Sequence, residues 1–265
     1  MRANDLLPTD AVRHGAYVCL DLQRASPGPA GAFEALVDGL ALRNEYEPGA
    51  DHPERAFALL RRIQVAPGTI DDAALLGADA VVHVATPAAE TVEAFCNGLA
   101  GLFGAAVTRV LRGVVRPPSF TGTAMHNFAY AHRMLQEPGT AMPHAFLMPT
   151  SKTAAWWEKD WLERHTYFLP RYDDAGRRAS EGHALAAAEG VELLMRRTYK
   201  HPTEPAPAGA YDFVNYFECA DAGVPVFHRV CAALRDVGRN PEWSYVREGP
   251  TWQGRRVAAW AELFS

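Results

Sequence analysis

Ten histidines are the side chains in this sequence best suited to bind a metal or to move a proton near neutral pH. No HExxH motif occurs, and no histidine pair stands with a carboxylate at the spacing of a metal site. GxSxG, P-loop and GxGxxG motifs are absent too, which disfavours hydrolase, NTPase and dinucleotide-binding readings. Single histidines therefore remain as candidates. They are His14, His52, His83, His126, His132, His144, His165, His183, His201 and His228.

His183 is followed by small residues, Ala184 and the run 186–188, which predict a helix that a broad planar group can approach. A haem iron needs one strong axial nitrogen, and histidine commonly supplies it. A histidine on a half-exposed helix would explain the same pattern. Residue chemistry alone leaves both interpretations of His183 open.

Arg196 stands thirteen residues after His183, in the basic segment MRRTY, which predicts a strand. Strand alternation places Arg196 on one face with Leu194 and Thr198. An arginine on such a face suggests an anionic group opposite it. The alternative is that Arg196, or its neighbour Arg197, points to solvent, and the spacing does not decide between them.

Lys152 precedes the pair Trp156 and Trp157 in the segment PTSKTAAWW. Lys152 could pair with a carboxylate such as a haem propionate, and two indoles could form the wall of a pocket for a large flat cofactor. An aromatic core beneath a loop is the simpler alternative. Composition by itself favours that alternative.

The elements that position these residues alternate between strands and helices in both halves of the chain. This pattern predicts an α+β protein with two ferredoxin-like units packed sheet to sheet. We expect a domain over 1–140 without a cofactor and a second over 141–265. Helices are predicted over 86–103, 175–189 and 225–237, helix-like and loop-like pieces over 31–64 (with 53–63 among them), and a crossover over 117–143. Strands are predicted over 16–22, 78–84, 106–115, from 145, and over 191–200, 211–218, 243–246 and 256–263.

The composition is that of an ordinary globular protein, with a formal net charge of −5. It shows no basic patch for nucleic acid and no apolar run that could span a membrane. The first residues lack the apolar core of a signal peptide, so a cytoplasmic location is expected. Four cysteines lie far apart in apolar runs and are predicted to be buried, reduced thiols. They are Cys19, Cys96, Cys219 and Cys231.

Taken in order, the C-terminal segments resemble the chlorite dismutase-like family of haem proteins. TSK before a Trp-Trp pair is followed by a segment with His183, and then by MRRTYKHP, which resembles the family's KRKLYHS. YDFVNYFE resembles its DFITYFE. A helix with FHRVCAALRDV and a terminal GPTWQGRR, which resembles GSPTTLGTI, complete the series. The resemblance covers roughly residues 144–256, and it implies an α/β barrel with haem b in the C-terminal unit.

The resemblance implies roles for five residues. His183 corresponds to the proximal iron ligand, and Arg196 corresponds to the distal arginine of chlorite dismutases. Lys152 and Trp156 correspond to positions on the propionate side and in the haem wall. Trp157 stands where the family's coproheme decarboxylases typically have a tyrosine, which points to the dismutase or peroxidase side of the family.

Two departures from the family bear on the site. The stretch between Trp157 and His183 is about a dozen residues longer than in the family, and it contains His165, a rival axial ligand. The family usually has a glutamate that accepts a hydrogen bond from the proximal histidine. Our alignment places Arg239 there, with Asp236 and Glu242 nearby, which predicts a weakly supported imidazole.

The resemblance implies a haem b-dependent oxidoreductase acting on a small oxidant, chlorite or peroxide, by oxygen-atom transfer to iron. It also implies a homopentamer. Because of the long aromatic segment 158–173 and of Arg239, a haem enzyme acting on an organic substrate in a biosynthetic pathway is nearly as well supported. A haem-binding sensor or carrier without turnover, and a barrel protein without a cofactor, are the further alternatives.

Overall fold

The structure, a computed structural model, describes residues 14–25, 30–45, 55–115, 142–190 and 193–265. The strands are β1 His14–Leu20, β2 Arg43–Asn44, β3 Ala56–Ala66, β4 Ala80–Thr86, β5 Val107–Val115, β6 His144–Lys152, β7 Arg171–Tyr172, β8 Arg178–Ser180, β9 Met195–Lys200, β10 Phe213–Cys219, β11 Val246–Glu248 and β12 Thr251–Val257. The α-helices are α1 Ala30–Gly39, α2 Ala73–Leu76, α3 Ala89–Phe103, α4 Ala154–Trp157, α5 Trp161–Thr166, α6 Gly182–Ala186 and α7 Gly223–Arg235.

Eight strands of the described part of the chain form a closed ring. The order around it is β10, β9, β5, β1, β4, β3, β12 and β6, and β6 pairs again with β10. Neighbours in the ring are antiparallel. The N-terminal strands β1, β3, β4 and β5 meet the C-terminal ones along two edges, β5 with β9 and β3 with β12. The α+β barrel is thus confirmed, with its halves joined edge to edge rather than stacked face to face.

The barrel interior is filled by side chains that alternate along the strands, as a small closed barrel requires. The rings of Tyr17 and His83 stack there with centroids 4.6 Å apart, and the Nε2 of His83 lies 3.0 Å from the hydroxyl of Tyr199. Arg197 donates to a carboxylate oxygen of Glu45 over 2.9 Å in the same interior. Arg197 therefore points into the barrel and not to solvent.

Two helical layers cover the outside of the barrel, one on each half. Helices α1 and α3 pack on the N-terminal strands through residues such as Phe33, Phe95 and Leu99. Helices α6 and α7 cover the C-terminal strands through residues such as Phe227 and Val230. This grouping follows the two predicted units. Their predicted boundary near residue 140 lies outside the described residues and stays a prediction, as does most of the predicted crossover over 117–143.

Several sequence predictions are confirmed with small shifts. Helices α3 and α7 lie where the patterns placed them, and Val226, Val230 and Ala233 form the buried stripe of α7. Val237, predicted as the last residue of this helix, follows the end of α7 and is 49% exposed. All four cysteines are buried and free. Within the described ranges, no helix has both the length and the apolar character needed to cross a membrane.

Three predictions of elements are wrong. Within the predicted helix-like piece 53–63, the described residues 56–63 are extended, because strand β3 pairs on both sides, with β4 and β12, and buries Ala56–Leu60. The helix predicted over 175–189 shrinks to α6, because the hairpin of β7 and β8 precedes it and Gly182 begins it at a φ of +66°. Near the C-terminus, strand β12 comes earlier than predicted, and Pro241–Tyr245 and Trp260–Leu263 are 3₁₀ helices.

Candidate functional site

A cavity lies between the outer face of strands β6, β9 and β10 and the helices α6 and α7. It has two lobes that share part of their lining. Strand alternation aims one set of side chains from these strands into the cavity and the other set into the barrel. Five residues line both lobes, and they include His183 from the helical layer and Arg196 from the strand floor. The five are Thr150, His183, Arg196, Asn215 and Trp243.

His183 is held by a buried carboxylate. Its Nδ1 lies 2.9 Å from an Oε2 of Glu242, and the other carboxylate oxygen of Glu242 accepts a hydrogen bond from the ammonium of Lys152. The side chains of Lys152 and Glu242 are 7% and 6% exposed. Because Nδ1 is engaged in this way, Nε2 is the ring nitrogen of His183 that remains for a ligand.

The charges around this group set its protonation. Burial alone would raise the pKa of Glu242, but the ammonium of Lys152 and the imidazole of His183 hold that pKa well below its ordinary range. Burial lowers the pKa of His183, although Glu242 opposes the shift, and the cations of Arg196 and Lys152 add to it. The site therefore presents a neutral imidazole backed by an ionised carboxylate, which is the protonation state that metal binding requires.

The prediction that Arg239 replaces the supporting carboxylate is wrong. Glu242 occupies that role, because the 3₁₀ helix Pro241–Tyr245 turns its side chain towards His183. Arg239 instead forms an ion pair with Glu181 at 2.8 Å. Glu242 lies three residues further along the chain than Arg239, the position that the alignment predicted.

The sequence predicted that Lys152 pairs with a carboxylate such as a haem propionate. In the structure its ammonium pairs with the carboxylate of Glu242 and lies 4.3 Å from the ring centre of Trp156. Lys152 thus supports the carboxylate behind His183. The residue still lines the larger lobe of the cavity.

The long segment before His183 positions helix α6. The backbone N–H groups of His183 and Ala184 donate to the carbonyls of Tyr167 and Phe168, over 3.1 Å each. A Cβ at position 182 would lie 2.3 Å from the carbonyl oxygen of Leu169, so only glycine allows the two segments to approach this closely. The aromatic segment 158–173 is therefore part of the support of His183.

Arg196 belongs to a polar network on the strand floor. Its guanidinium donates to the hydroxyl of Thr198 over 3.2 Å and to the amide oxygen of Asn215 over 3.4 Å. Thr198 donates to the same amide oxygen over 3.1 Å, and the Asn215 amide nitrogen lies 3.3 Å from the hydroxyl of Thr150. The predicted face of Leu194, Arg196 and Thr198 is thus confirmed, and it faces the cavity.

Comparison with solved structures identifies the fold. An arginine-to-glutamate mutant of the chlorite dismutase from Candidatus Nitrospira defluvii superposes with a TM-score of 0.64 at 18% identity, covering 99% of this chain and 98% of that one. The same enzyme in complex with imidazole gives 0.63 at 19%, covering 98% and 97%. A tryptophan-to-phenylalanine mutant in complex with cyanide gives 0.61 at 18%, covering 97% and 96%. The chain has the chlorite dismutase fold.

This likeness is one of structure and not of close sequence. No family model matches the sequence. No curated protein matches it either. The chlorite dismutase fold nevertheless accounts for nearly the whole chain. The fold that the C-terminal motifs implied is thereby confirmed.

The neighbouring tryptophans Trp156 and Trp157 have different surroundings. Trp156 is buried, and its ring meets those of Tyr167 and Tyr245 at 5.5 and 5.6 Å. Trp157 is half-buried and stacks on Phe213 at 6.5 Å, while its indole N–H has no hydrogen-bond partner. Both line the larger lobe, as the sequence predicted for a cofactor wall.

The two lobes differ in chemistry. The larger is lined by aromatic and charged side chains, among them Trp161, Arg164 and His165 from the segment 158–173. His165, the predicted rival ligand, therefore shares the cavity with His183. The smaller lobe is mainly apolar. Its lining includes Met148, Leu194, Phe217, Phe227, Val230 and Leu234.

Three residues of the site escaped sequence reasoning. Glu242 was noted only as a neighbour of Arg239, and Asn215 sits inside a strand motif where a polar residue usually faces solvent. Arg164 lies in a segment with no counterpart in the motifs. The signal that could have found Glu242 was its position at the start of a Pro-Glu-Trp turn soon after helix α7.

Proposed function

We propose that this protein is a haem b-dependent oxidoreductase in which His183 would bind the haem iron and Arg196 would bind the oxidant. The observation that carries the proposal is the buried pair of His183 and Glu242 in a cavity whose strand floor holds Arg196. A metal-bound histidine typically donates its second ring nitrogen to a carboxylate, which fixes the ring and strengthens it as a ligand.

The residues fit a haem. One imidazole is the donor that haem iron commonly takes from a protein. The apolar lobe suits the hydrocarbon edge of a porphyrin. Trp156 and Trp157 would wall the larger lobe, and His183 would hold the iron.

The side chains of the cavity would bind and orient the oxidant. Bound haem supplies the redox chemistry with small oxidants such as chlorite or peroxide. Arg196 binds the oxyanion by charge-assisted hydrogen bonds and holds it in the cavity. Asn215 and Thr198 orient the guanidinium, and Glu242 fixes the imidazole of His183 through the contact with its Nδ1.

Oxygen release tests the reaction. Purified protein with full haem occupancy is mixed with chlorite, and evolved O₂ is measured with an electrode. We expect O₂ release that depends on Arg196, with Arg196→Ala reducing it at unchanged haem content. Negligible O₂ from fully loaded wild-type protein would exclude the dismutase reaction.

A haem enzyme acting on an organic substrate is the second candidate, and one observation favours it. Segment 158–173 places Trp161, His165 and Phe168 around the larger lobe, which gives it aromatic walls beyond those of the strand floor. An enzyme of this kind would consume peroxide only with an organic reductant present. Turnover of peroxide with a phenol, and none of chlorite, would favour this candidate over a dismutase.

A further inference from the structure

Arg164 stands out in the larger lobe because its ion-pairing capacity is unused. It projects from helix α5, and its guanidinium carbon lies 5.3 Å from the ring centre of Trp157. Its Nε is buried without a hydrogen-bond partner, and so is the indole N–H of Trp157. Two buried donors on contacting side chains thus lack an acceptor, which is costly unless a ligand supplies one.

The two carboxylates that line this lobe already have cationic partners. Glu242 pairs with Lys152 and His183, and Glu204 at the edge of the lobe pairs with Lys200 at 3.2 Å. On helix α5 itself, Glu163 pairs with Lys159 at 2.5 Å. Among the described residues, no carboxylate forms an ion pair with Arg164. The missing acceptor must therefore come from outside the described part of this fold.

The geometry of the donors selects the ligand. A guanidinium is a planar fork that matches the two oxygens of a carboxylate, and an indole N–H adds one further donor. The surrounding walls are aromatic, with Trp161, Phe168 and Phe213 in the same lobe. The site therefore suits a carboxylate that is attached to a flat or aromatic body.

We infer that Arg164 and Trp157 form a carboxylate-binding site in the larger lobe of the cavity. The inference rests on the proposed function and deepens it, because the carboxylate belongs either to a porphyrin propionate or to an organic substrate. Helix α5 carries Arg164 over the lobe, and Asp160 caps this helix by accepting the N–H of Glu163 over 2.8 Å. The segment 158–173 is thus the part of the chain that supplies the site.

Two binding titrations distinguish the sources. In the first, colourless protein is titrated with haem b and with haem dimethyl ester, whose propionates are blocked, and the Soret band is followed. In the second, haem-loaded protein is titrated with benzoate as the carboxylate probe, followed by the change in the Soret band. The variants are Arg164→Ala, Arg164→Lys and Trp157→Phe. The control is Arg178→Ala, an exposed arginine of the following hairpin.

A propionate source predicts that Arg164→Ala weakens haem b binding by about 10- to 100-fold and leaves the ester unaffected. A substrate source predicts unchanged haem affinity and a similar loss of benzoate binding. Arg164→Lys should retain part of the affinity, since it keeps the charge and loses the fork, and Trp157→Phe should show a smaller loss. If Arg164→Ala matches wild type in both titrations, the carboxylate site is excluded.

Failure of the haem proposal would be visible separately. If wild-type protein binds neither haem b nor its ester, benzoate is titrated into the colourless protein by calorimetry. Binding that is lost in Arg164→Ala and kept in Arg178→Ala would support the site without haem. Equal heats from wild type and Arg164→Ala would overturn it.

Discussion

The Nδ1 of His183 lies 2.9 Å from a carboxylate oxygen of Glu242, although 59 positions separate the two residues. One comes from the short helix α6 and the other from a 3₁₀ helix after α7. The contact joins these two helical segments through one imidazole. Among the histidines that line the cavity, His183 is therefore the one that we propose as the iron ligand.

Removing the imidazole should abolish normal haem retention. We expect His183→Ala to lose the Soret band of the loaded protein, because the alanine side chain cannot bind the iron. The control is His165→Ala, since His165 lines the same lobe and is not the histidine paired with Glu242. The measurement is haem content after gel filtration. Loss of haem in His165→Ala and not in His183→Ala would exchange the two roles.

Glu242→Gln should destabilise the protein and change the iron. The substitution leaves the ammonium of Lys152 buried without its anion, and breaking such a pair costs about 3–5 kcal/mol. Urea unfolding should show this loss, and Lys152→Met added to Glu242→Gln should recover part of it. The reduction potential of the bound iron should rise, because a neutral partner makes His183 a weaker donor. An unchanged potential would contradict the role of Glu242 behind the ligand.

Arg196 and Arg197 should respond differently to alanine substitution. Arg196 lines the cavity, whereas Arg197 pairs with Glu45 inside the barrel at 2.9 Å. We expect Arg196→Ala to keep nearly normal stability and haem content while oxidant turnover falls. Arg197→Ala should lower the free energy of unfolding by about 3–5 kcal/mol, since it removes the guanidinium that pairs with the buried carboxylate of Glu45. A sensor or carrier without turnover would instead keep its role in Arg196→Ala.

The cysteines should be unreactive in the folded protein. Burial raises the pKa of the thiols of Cys19, Cys219 and Cys231 to about 12, and that of Cys96 to about 11. The reactive thiolate is therefore scarce at pH 8. We expect no labelling by a thiol reagent at pH 8 in the native state and four thiols after unfolding. Labelling of a single cysteine in native protein would show that its surroundings open.

The homopentamer that the resemblance implies remains a prediction. A homopentamer is a matter of subunit contacts, which a single chain does not contain. Light scattering of the purified protein checks it directly.

Local patterns predicted much of the fold. The amphipathic repeat of α7 and the strand before Pro117 need only neighbouring residues to be recognised. Strand β3 was missed because an apolar run of its length suits a buried helix as well as a strand, and only pairing with β4 and β12 decides between them. Helix α6 was overestimated because the close approach of Leu169 to Gly182 is a tertiary contact.

The sequence by itself determined which residues could carry the chemistry: His183, Arg196, Lys152 and the Trp156-Trp157 pair follow from residue type and ordered motifs. The tertiary structure decided their partners. In the folded chain, His183 and Lys152 both contact the carboxylate of Glu242. Arg196 donates a hydrogen bond to Asn215. The reason is physical: a residue's own chemistry is local, whereas a hydrogen bond between distant segments exists only after barrel closure brings them together.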